Sequence, residues 1–94
     1  MIKTRQLERI VKGFANHRRI QIMELIADSP ELSVVEISIR LRVNYKTISE
    51  HIRRLTIAGL ILKRYQGSNV RHKLSPLGKS VLKFLRILER ERRE

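Results

Sequence analysis

The spacing of apolar residues predicts an amphipathic helix near each end of the chain. In both stretches apolar residues recur at every third or fourth position, which is the period of one helix face. The apolar residues of the first stretch, from about Thr4 to Ala15, are Leu7, Ile10, Val11 and Phe14. The second stretch begins after Ser75 and Pro76, an N-cap and a first-turn proline. Its apolar residues are Leu77, Val81, Phe84, Leu85 and Leu88.

Two shorter helices are predicted in the middle of the chain. Asn16 is a favourable N-cap for a helix that reaches about Ala27. Ser33 and Glu36 have the spacing of a capping box, which starts another helix that reaches about Leu41. The residues expected to face inward on these two helices are Ile22, Met23, Leu25, Ile26, Val34, Ile37 and Leu41.

A fourth helix follows after a turn of only two residues, Arg42 and Val43. Asn44 caps this helix, and Gly59 suits its end, because glycine readily adopts the left-handed conformation found there. Two helices with so short a connection form a helix-turn-helix. At about 100° per residue, the apolar residues of the fourth helix fall in one narrow sector, and its cationic residues point away from them. These apolar residues are Ile48, Ile52 and Leu55.

The remaining segment predicts a β-hairpin. LILKRY and VRHKL are extended runs that flank Gln66-Gly67-Ser68-Asn69, a turn-prone tetrapeptide. The predicted order of elements, which is four helices followed by a hairpin and a last helix, is that of a winged helix-turn-helix. We therefore predict a mainly α fold with a small β-hairpin, formed as one domain over residues 1–94. The fourth helix, 44–58, is then the recognition helix, and 61–74 is the wing.

The composition excludes several classes of protein. The 94 residues include no cysteine, so disulfides and thiolate metal sites are excluded. No window approaches the roughly 18 apolar residues of a membrane span, and the N-terminus lacks an apolar signal region. We expect an untargeted, cytoplasmic protein, nucleoid-associated if the source is prokaryotic.

The charge points to a polyanionic partner. Twenty-one Lys and Arg against nine Asp and Glu give a formal net charge of +12. With two Tyr, two Phe and no Trp, the chain offers few platforms on which single-stranded bases could stack. Duplex DNA is therefore favoured. The alternative, that the scattered charges are thermophile surface chemistry, stays open, and the clustering of the charges has to decide.

The fourth helix and the hairpin carry the candidate DNA contacts. Residues that reach base edges in a major groove lie near the N-terminal half of the helix that enters it, and Lys, Arg, Glu, Ser and Thr can all read bases. The candidates on the helix are Tyr45, Lys46, Thr47, Ser49, Glu50, Arg53 and Arg54, the last two favoured as phosphate contacts. The wing cations Lys63, Arg64, Arg71 and Lys73 are expected to follow the backbone or enter the minor groove.

Several motifs resemble those of ArsR-type winged-helix transcriptional regulators. They are ANHRRIQIMELIA, SVVEISIRLRV, TISEHIRRLTIAGLI, the hairpin and LSPLG, and the resemblance covers nearly the whole chain. It implies a homodimeric DNA-binding repressor that pairs through its first and last helices, as in a family of which many members release DNA when a metal or other effector binds. By this likeness, the dimer-interface candidates are Leu7, Ile10, Val11, Phe14, Val81, Phe84, Leu85 and Leu88.

Three departures from the family pattern change what the resemblance implies. Metal-sensing members carry cysteines in the segment that matches 31–36, where this chain has Ser33 and Val35, and the last helix lacks the histidine of the second metal site. The chain's own histidines, which lie in three different elements, are His17, His51 and His72. We therefore expect neither a metal nor another cofactor. Arg42 stands where the turn often has glycine, and a left-handed backbone there would cost about 1 kcal/mol.

Other functions remain as alternatives. An enzyme is not expected, because no nucleophile, base and orienting group can be assembled from local motifs, and no phosphate-binding glycine loop is present. Val35, Ile39 and Ile57 are apolar residues on outward sides of the third and fourth helices. They are either scattered surface residues or a contact surface for another protein. The rival function is therefore a protein-interaction module in a transcription or chromatin assembly, and a structured-RNA binder is a third possibility.

Overall fold

The computed structural model describes residues 2–92, and over this range it contains five α-helices and one antiparallel β-hairpin. The helices are α1 (Thr4–Phe14), α2 (His17–Asp28), α3 (Val34–Leu41), α4 (Tyr45–Ile57) and α5 (Pro76–Glu91), and the strands are β1 (Ile61–Gln66) and β2 (Asn69–Leu74). The predicted order of elements is confirmed. No helix within the described range is long and apolar enough to cross a membrane.

The helices begin where the sequence predicts, because polar side chains satisfy their first N–H groups. The Asn16 side chain accepts hydrogen bonds from the N–H groups of Arg18 and Arg19, at 2.9 and 3.3 Å. Ser33 Oγ accepts from the N–H of Glu36 at 3.2 Å, and the Glu36 carboxylate accepts from the N–H of Ser33 at 2.9 Å. The predicted capping box is therefore confirmed.

One hydrophobic core lies between the helices and the base of the hairpin. Its most deeply buried apolar members are Ile22, Met23, Ile26, Ile37, Ile48, Ile52, Leu55, Leu60 and Ile61. Burial of each such side chain contributes about 1.5–3 kcal/mol to stability. Leu25, Val34 and Leu41 pack against the core and are partly buried. Leu82 on α5 is also buried, which the predicted stripe of that helix had missed.

The hairpin turn lies at the predicted tetrapeptide. Gln66 pairs with Asn69, so these two residues end the strands, and Gly67 and Ser68 are the two central residues of the turn. Gly67 has a φ of 61°. A glycine with positive φ at the first loop position suits the type II′ turn, whose twist matches that of the two strands.

The segment between α2 and α3 is joined to the hairpin by a single β-bridge. Leu32 forms an isolated antiparallel bridge with His72. The N–H of His72 donates to the Leu32 oxygen at 3.1 Å, and the N–H of Glu31 donates to the His72 oxygen at 2.9 Å. Main-chain hydrogen bonds therefore join the hairpin to the segment that leads into the helix-turn-helix.

The turn between α3 and α4 contains a left-handed residue that is not glycine. Arg42 has φ and ψ of 55° and 45°, a conformation that costs about 1 kcal/mol for a residue with a Cβ atom. The N–H of Arg42 donates to the Ile39 oxygen at 3.3 Å, and the N–H of Val43 donates to the Ser38 oxygen at 3.1 Å. These bonds satisfy carbonyl groups at the end of α3 and keep the turn short.

Two glycines let the terminal helices approach the segment that follows α4. A Cβ atom added to Gly13 in α1 would lie 2.4 Å from the Cβ of Ala58. A Cβ atom added to Gly78 in α5 would lie 2.2 Å from the main-chain oxygen of Leu60. Because protein interiors are close-packed, either substitution would push the two segments apart.

Candidate nucleic-acid interface

The exposed side of α4 is polar. Asn44 caps the helix by accepting hydrogen bonds from the N–H groups of Lys46 and Thr47, at 2.8 and 3.4 Å. The apolar stripe of α4 is buried in the core, so its opposite side is turned outward. The predicted base-reading residues that are exposed there are Tyr45, Lys46, Thr47, Glu50 and Arg53, and Ser49 is partly exposed.

One carboxylate on α4 holds two arginines. Glu50 accepts hydrogen bonds from Arg53 Nε at 3.0 Å, from Arg53 Nη2 at 2.8 Å and from Arg54 Nε at 3.1 Å. The bonds from Arg53, followed by the bond from Arg54, lower the pKa of Glu50 from 4.5 to about 2. Both carboxylate oxygens thus accept hydrogen bonds. Oε2 accepts only one of these bonds, so Glu50 could still accept a hydrogen bond from cytosine, as predicted.

Arg19 fixes the inner edge of α4 to the corner between α1 and α2. Arg19 Nε donates to His51 Nδ1 at 3.2 Å, and Arg19 Nη1 donates to the main-chain oxygens of Lys12 and Gly13, at 3.1 and 3.2 Å. Burial, and then the positive charge of Arg19, lower the pKa of His51 below its ordinary value of 6.5. A neutral His51 can accept this hydrogen bond, so the two side chains help to orient α4.

A cleft of about 580 Å³ separates α4 from the hairpin. One wall is formed by the exposed side of α4 and the first turn of α3, and the other by the hairpin. The hairpin residues in this wall include Lys63, Ser68, Asn69 and Val70. Lys63 is a cation on the hairpin wall, and Arg53 on the helix wall lies beside Glu50, which accepts its hydrogen bonds. The cleft can therefore receive an anionic strand between α4 and the hairpin.

The four predicted wing cations lie on two different faces of the hairpin. Directly opposed residues in an antiparallel ladder share a face, and successive residues alternate between faces. Lys63 is paired with His72, on the face that lines the cleft. Arg64, Arg71 and Lys73 occupy the other face. The structure therefore does not bring the four cations together as one patch.

Both wing arginines are bound by acidic residues at the entrance to α3. Arg64 Nε donates to the Glu31 carboxylate. Arg71 Nη1 donates to Glu36 Oε1 at 2.9 Å and to the Glu31 carbonyl oxygen at 3.2 Å. Hydrogen bonds from Ser33, main chain first, lower the pKa of Glu36, and Arg71 adds a smaller electrostatic contribution. Glu36 thus stays ionised and available to Arg71.

The sequence analysis missed these carboxylates, which lie 33 and 35 residues away from the arginines that they bind. Alternation along the strands could have placed Arg64 and Arg71 on one face, but no sequence signal identifies their partners. The predicted DNA-contact cations that form no salt bridge within residues 2–92 are Lys46, Lys63 and Lys73. A phosphate could bind these lysines without displacing a carboxylate.

The outer faces of the terminal helices are only partly covered. Phe14 and Val81 are each 8% exposed and belong to the protomer's own core, so a partner is not needed to bury these two predicted interface residues. Ile10 and Leu85 also pack against that core. The predicted interface residues that remain exposed are Leu7, Val11, Phe84 and Leu88. The apolar surface left for a partner is therefore smaller than the sequence indicated.

The three outward apolar residues are exposed, as predicted. Val35, Ile39 and Ile57 are 52%, 69% and 70% exposed. Val35 lines the cleft between α4 and the hairpin, whereas Ile57 lines a shallow pocket beside Gly13 and Arg19. The three side chains therefore do not share one pocket.

His72 is placed for packing. His72 is buried, and its Nδ1 lies 2.9 Å from the Leu32 oxygen. Burial lowers the pKa of His72 below 6.5, and the nearby positive charge of Lys63 lowers it further. Within residues 2–92, no group of three His, Cys, Asp or Glu side chains is arranged to hold a metal ion.

Comparison with known families confirms the resemblance seen in the motifs. The model of the family described as "Bacterial regulatory protein, arsR family" matches residues 16–63, which run from the cap of α2 into β1. The chain is also similar to the transcriptional activator HlyU of Vibrio cholerae, with 38% identity over 66 residues. That match covers 70% of this chain and 60% of the relative, so less than two thirds of the relative's length is matched.

Solved structures give the same result at the level of the fold. The structure of HlyU from Vibrio cholerae has a TM-score of 0.80 at 33% identity, over 94% of this chain and 97% of that one. The homodimeric winged helix-turn-helix DNA-binding domain of a possible ArsR-family transcriptional regulator from Mycobacterium bovis has a TM-score of 0.85 at 27% identity, over 95% and 82%. The winged helix-turn-helix fold is thereby confirmed, and the relatives are regulators, not enzymes.

Proposed function

The chain belongs to the ArsR family of bacterial regulatory proteins and is a winged-helix transcriptional regulator, and from this premise we propose that it acts by binding double-stranded DNA. The observation that carries the proposal is the exposed polar side of α4 beside a cleft with a cation on each wall. A helix of this size fits a DNA major groove, and the hairpin would then lie along the backbone or in the minor groove. Residues 1–94 would act as one DNA-binding domain at the chromosome, in the cytoplasm.

The two walls of the cleft would have different roles. The first turns of α4, which offer Tyr45, Lys46, Thr47 and Ser49, would read base edges. Arg53 and Arg54 lie further along and would meet phosphates, because two guanidinium groups share the single carboxylate of Glu50 and the group keeps a net positive charge. On the hairpin, Lys63 faces the cleft and would neutralise a phosphate between the two walls, with Lys73 available on the outer face.

A homodimer would present two such surfaces. The exposed Leu7, Val11, Phe84 and Leu88 give α1 and α5 apolar faces that a two-fold interface would bury with the same patch from each protomer. The similar domain from Mycobacterium bovis is described as homodimeric. The two α4 helices would then enter successive major grooves about 34–36 Å apart. We therefore propose an operator with inverted symmetry.

The family resemblance and the similar relative indicate different directions of regulation. The resemblance alone implied a repressor, whereas the similar HlyU of Vibrio cholerae is a transcriptional activator. The position of the operator relative to the promoter would decide between the two. No small-molecule or metal effector is part of the proposal.

Selection of bound duplexes from a random DNA pool tests the proposal. We expect enrichment of an inverted repeat whose half-sites are about one helical turn apart. Lys46→Ala should relax the preference at one position of each half-site and cost about 1–3 kcal/mol of binding free energy. Absence of enrichment, or equal binding of structured RNA, would contradict the proposal and favour the protein-interaction module.

A further inference from the structure

Every polar group of Glu31 is bound to the hairpin. Its N–H donates to the His72 oxygen at 2.9 Å. Its carbonyl oxygen accepts from Arg71 Nη1 at 3.2 Å, and its carboxylate accepts from Arg64 Nε. Glu31 lies outside the helix-turn-helix, in the connection between α2 and α3, so these contacts link the wing to the frame that carries α4.

The backbone of Glu31 is held in an unfavourable conformation. Its φ is 70°, in the left-handed region that residues other than glycine avoid. A glycine would adopt this φ without strain but would have no carboxylate for Arg64. Such strain persists when surrounding contacts over-determine it, and the contacts here all come from the hairpin.

Glu36 makes a second link between the same two parts. Its Oε1 accepts from Arg71 Nη1 at 2.9 Å and from the N–H of Ser33 at 2.9 Å. The oxygen that caps α3 therefore also holds the hairpin. Arg64 and Arg71 share the hairpin face opposite the one that carries Lys63. Both links are therefore made on that face of the hairpin.

We propose that Glu31 and Glu36 are positioning residues that fix the wing at a set distance from α4, and that Arg64 and Arg71 bind them instead of DNA phosphates. The inference rests on the proposed DNA binding and assigns the phosphate contact of the inner wing face to Lys63. A guanidinium beside a carboxylate offers little net charge to a phosphate, so it releases few counterions on binding. The wing arginines would then support affinity through geometry.

The salt dependence of DNA binding distinguishes a residue that positions the wing from a residue that contacts a phosphate. The slope of log K against log salt changes by about 0.9 for each phosphate neutralised on B-DNA. We expect Lys63→Ala to flatten the slope by about one. Arg64→Ala, Arg71→Ala and Glu31→Gln should each weaken binding several-fold at all salt concentrations, with the slope unchanged. The double variant of Glu31→Gln with Arg64→Ala should bind DNA no more weakly than either single variant, because the two substitutions remove the same interaction.

Two further variants serve as controls for charge and folding. Glu24→Gln removes the same charge from the exposed surface of α2 and should leave binding unchanged. Glu31→Gly removes the carboxylate but relieves the backbone strain, so it should melt at the same temperature as the wild type or higher while binding DNA more weakly. Loss of affinity without loss of stability would be the signature of a positioning role.

Three outcomes would overturn the inference. A slope flattened by about one in both Arg64→Ala and Arg71→Ala would make them phosphate contacts. Tighter DNA binding by Glu31→Gln would show that Glu31 keeps Arg64 from contacting DNA and does not position the wing. If Lys46→Ala and Lys63→Ala left duplex binding unchanged, the proposed function itself would fail, and the positioning role with it.

Discussion

The two cationic surfaces of the molecule, on α4 and on the hairpin, are organised in opposite ways. On α4, Glu50 holds Arg53 and Arg54 through pairs three and four residues apart, so the whole arrangement lies on one exposed helix face. On the hairpin, Arg64 and Arg71 bind carboxylates that belong to another part of the chain. The helix keeps its arginines on the proposed DNA side, whereas the hairpin turns its arginines toward the protein.

This difference shows that cationic residues near a DNA-binding motif need not share one role. Local pairing within a helix restrains a side chain and leaves it at the surface. Pairing between distant segments instead connects two separate parts of the fold, here the hairpin and the entrance to α3. If the wing arginines act as proposed, a count of them overstates the number of phosphates that the wing neutralises on binding DNA.

Separating the protomers of the proposed dimer should have the largest effect on this comparison, because a monomer would offer only one copy of each surface. Phe84→Glu combined with Leu88→Glu places charges on the exposed face of α5. We expect a monomer with the fold retained, and a loss of operator affinity of about 100-fold or more, since linked binding of two half-sites contributes about 10²–10⁴. Sedimentation and DNA titration measure both quantities.

A substitution on α4 is the control for the dimer experiment. Lys46→Ala should weaken DNA binding without changing the mass in solution. A wild-type protein that sediments as a monomer at micromolar concentration, or a double variant that keeps full affinity for the operator, would contradict the paired arrangement.

Removing the carboxylate of α4 should have an intermediate effect that sharpens the comparison. Glu50→Gln leaves Arg53 and Arg54 unpaired, so binding to duplexes of any sequence should tighten by roughly three- to tenfold and become steeper in salt. Preference for the operator over random DNA should fall, because phosphate contacts carry no sequence information. Competition titrations at several salt concentrations measure this.

The expected direction is opposite to that of Glu31→Gln on the hairpin side. Equal effects of the two substitutions would show that the two surfaces use their carboxylates in the same way. The outcome that would contradict the role given to Glu50 is weaker binding to random DNA.

Acidification should produce the smallest effect, and it should act on both regions. His51 on α4 and His72 on β2 have folded-state pKa values below 6.5, so the unfolded chain takes up protons first as the pH falls. Stability should therefore be complete above about pH 6.5 and decline below it. Glu36 and Glu50, whose pKa values also lie below their ordinary 4.5, should add to the loss at still lower pH.

Thermal unfolding followed at about pH 7.5 and about pH 5.5 tests this dependence. His72→Gln should reduce the acid sensitivity more than His51→Gln, because His72 is more deeply buried. A midpoint independent of pH between these values would contradict the assignment.

Local chemistry made most of the fold predictable. The caps at Asn16, Ser33 and Asn44 lie next to the helices that they start, and a hydrogen bond over two or three residues can be recognised in the sequence. Helical periodicity likewise identified the buried stripe of α4. The ends of the two strands were harder to place than the turn, because polar residues such as Gln66 and Asn69 suit both a loop and an exposed strand end.

The parts that could not be predicted depend on tertiary packing. Periodicity identified the apolar faces of α1 and α5, but not that Phe14 and Val81 would be covered within one protomer. Similarly, the sequence located cations on the wing but could not show that Glu31 would bind one of them. Which neighbour covers or pairs a residue is decided by the arrangement of whole elements.

The contact between Gly13 and Ala58 holds the end of α1 closely against the end of α4. The added Cβ would overlap its neighbour at 2.4 Å, so the two segments have no free space in which to slide toward each other. Arg19 bridges the same corner to His51. A shift of α1, whether caused by a ligand or by a substitution in a dimer interface, would therefore be transmitted mechanically to α4. The angle at which two protomers meet would set the pitch and separation of the helices that probe DNA.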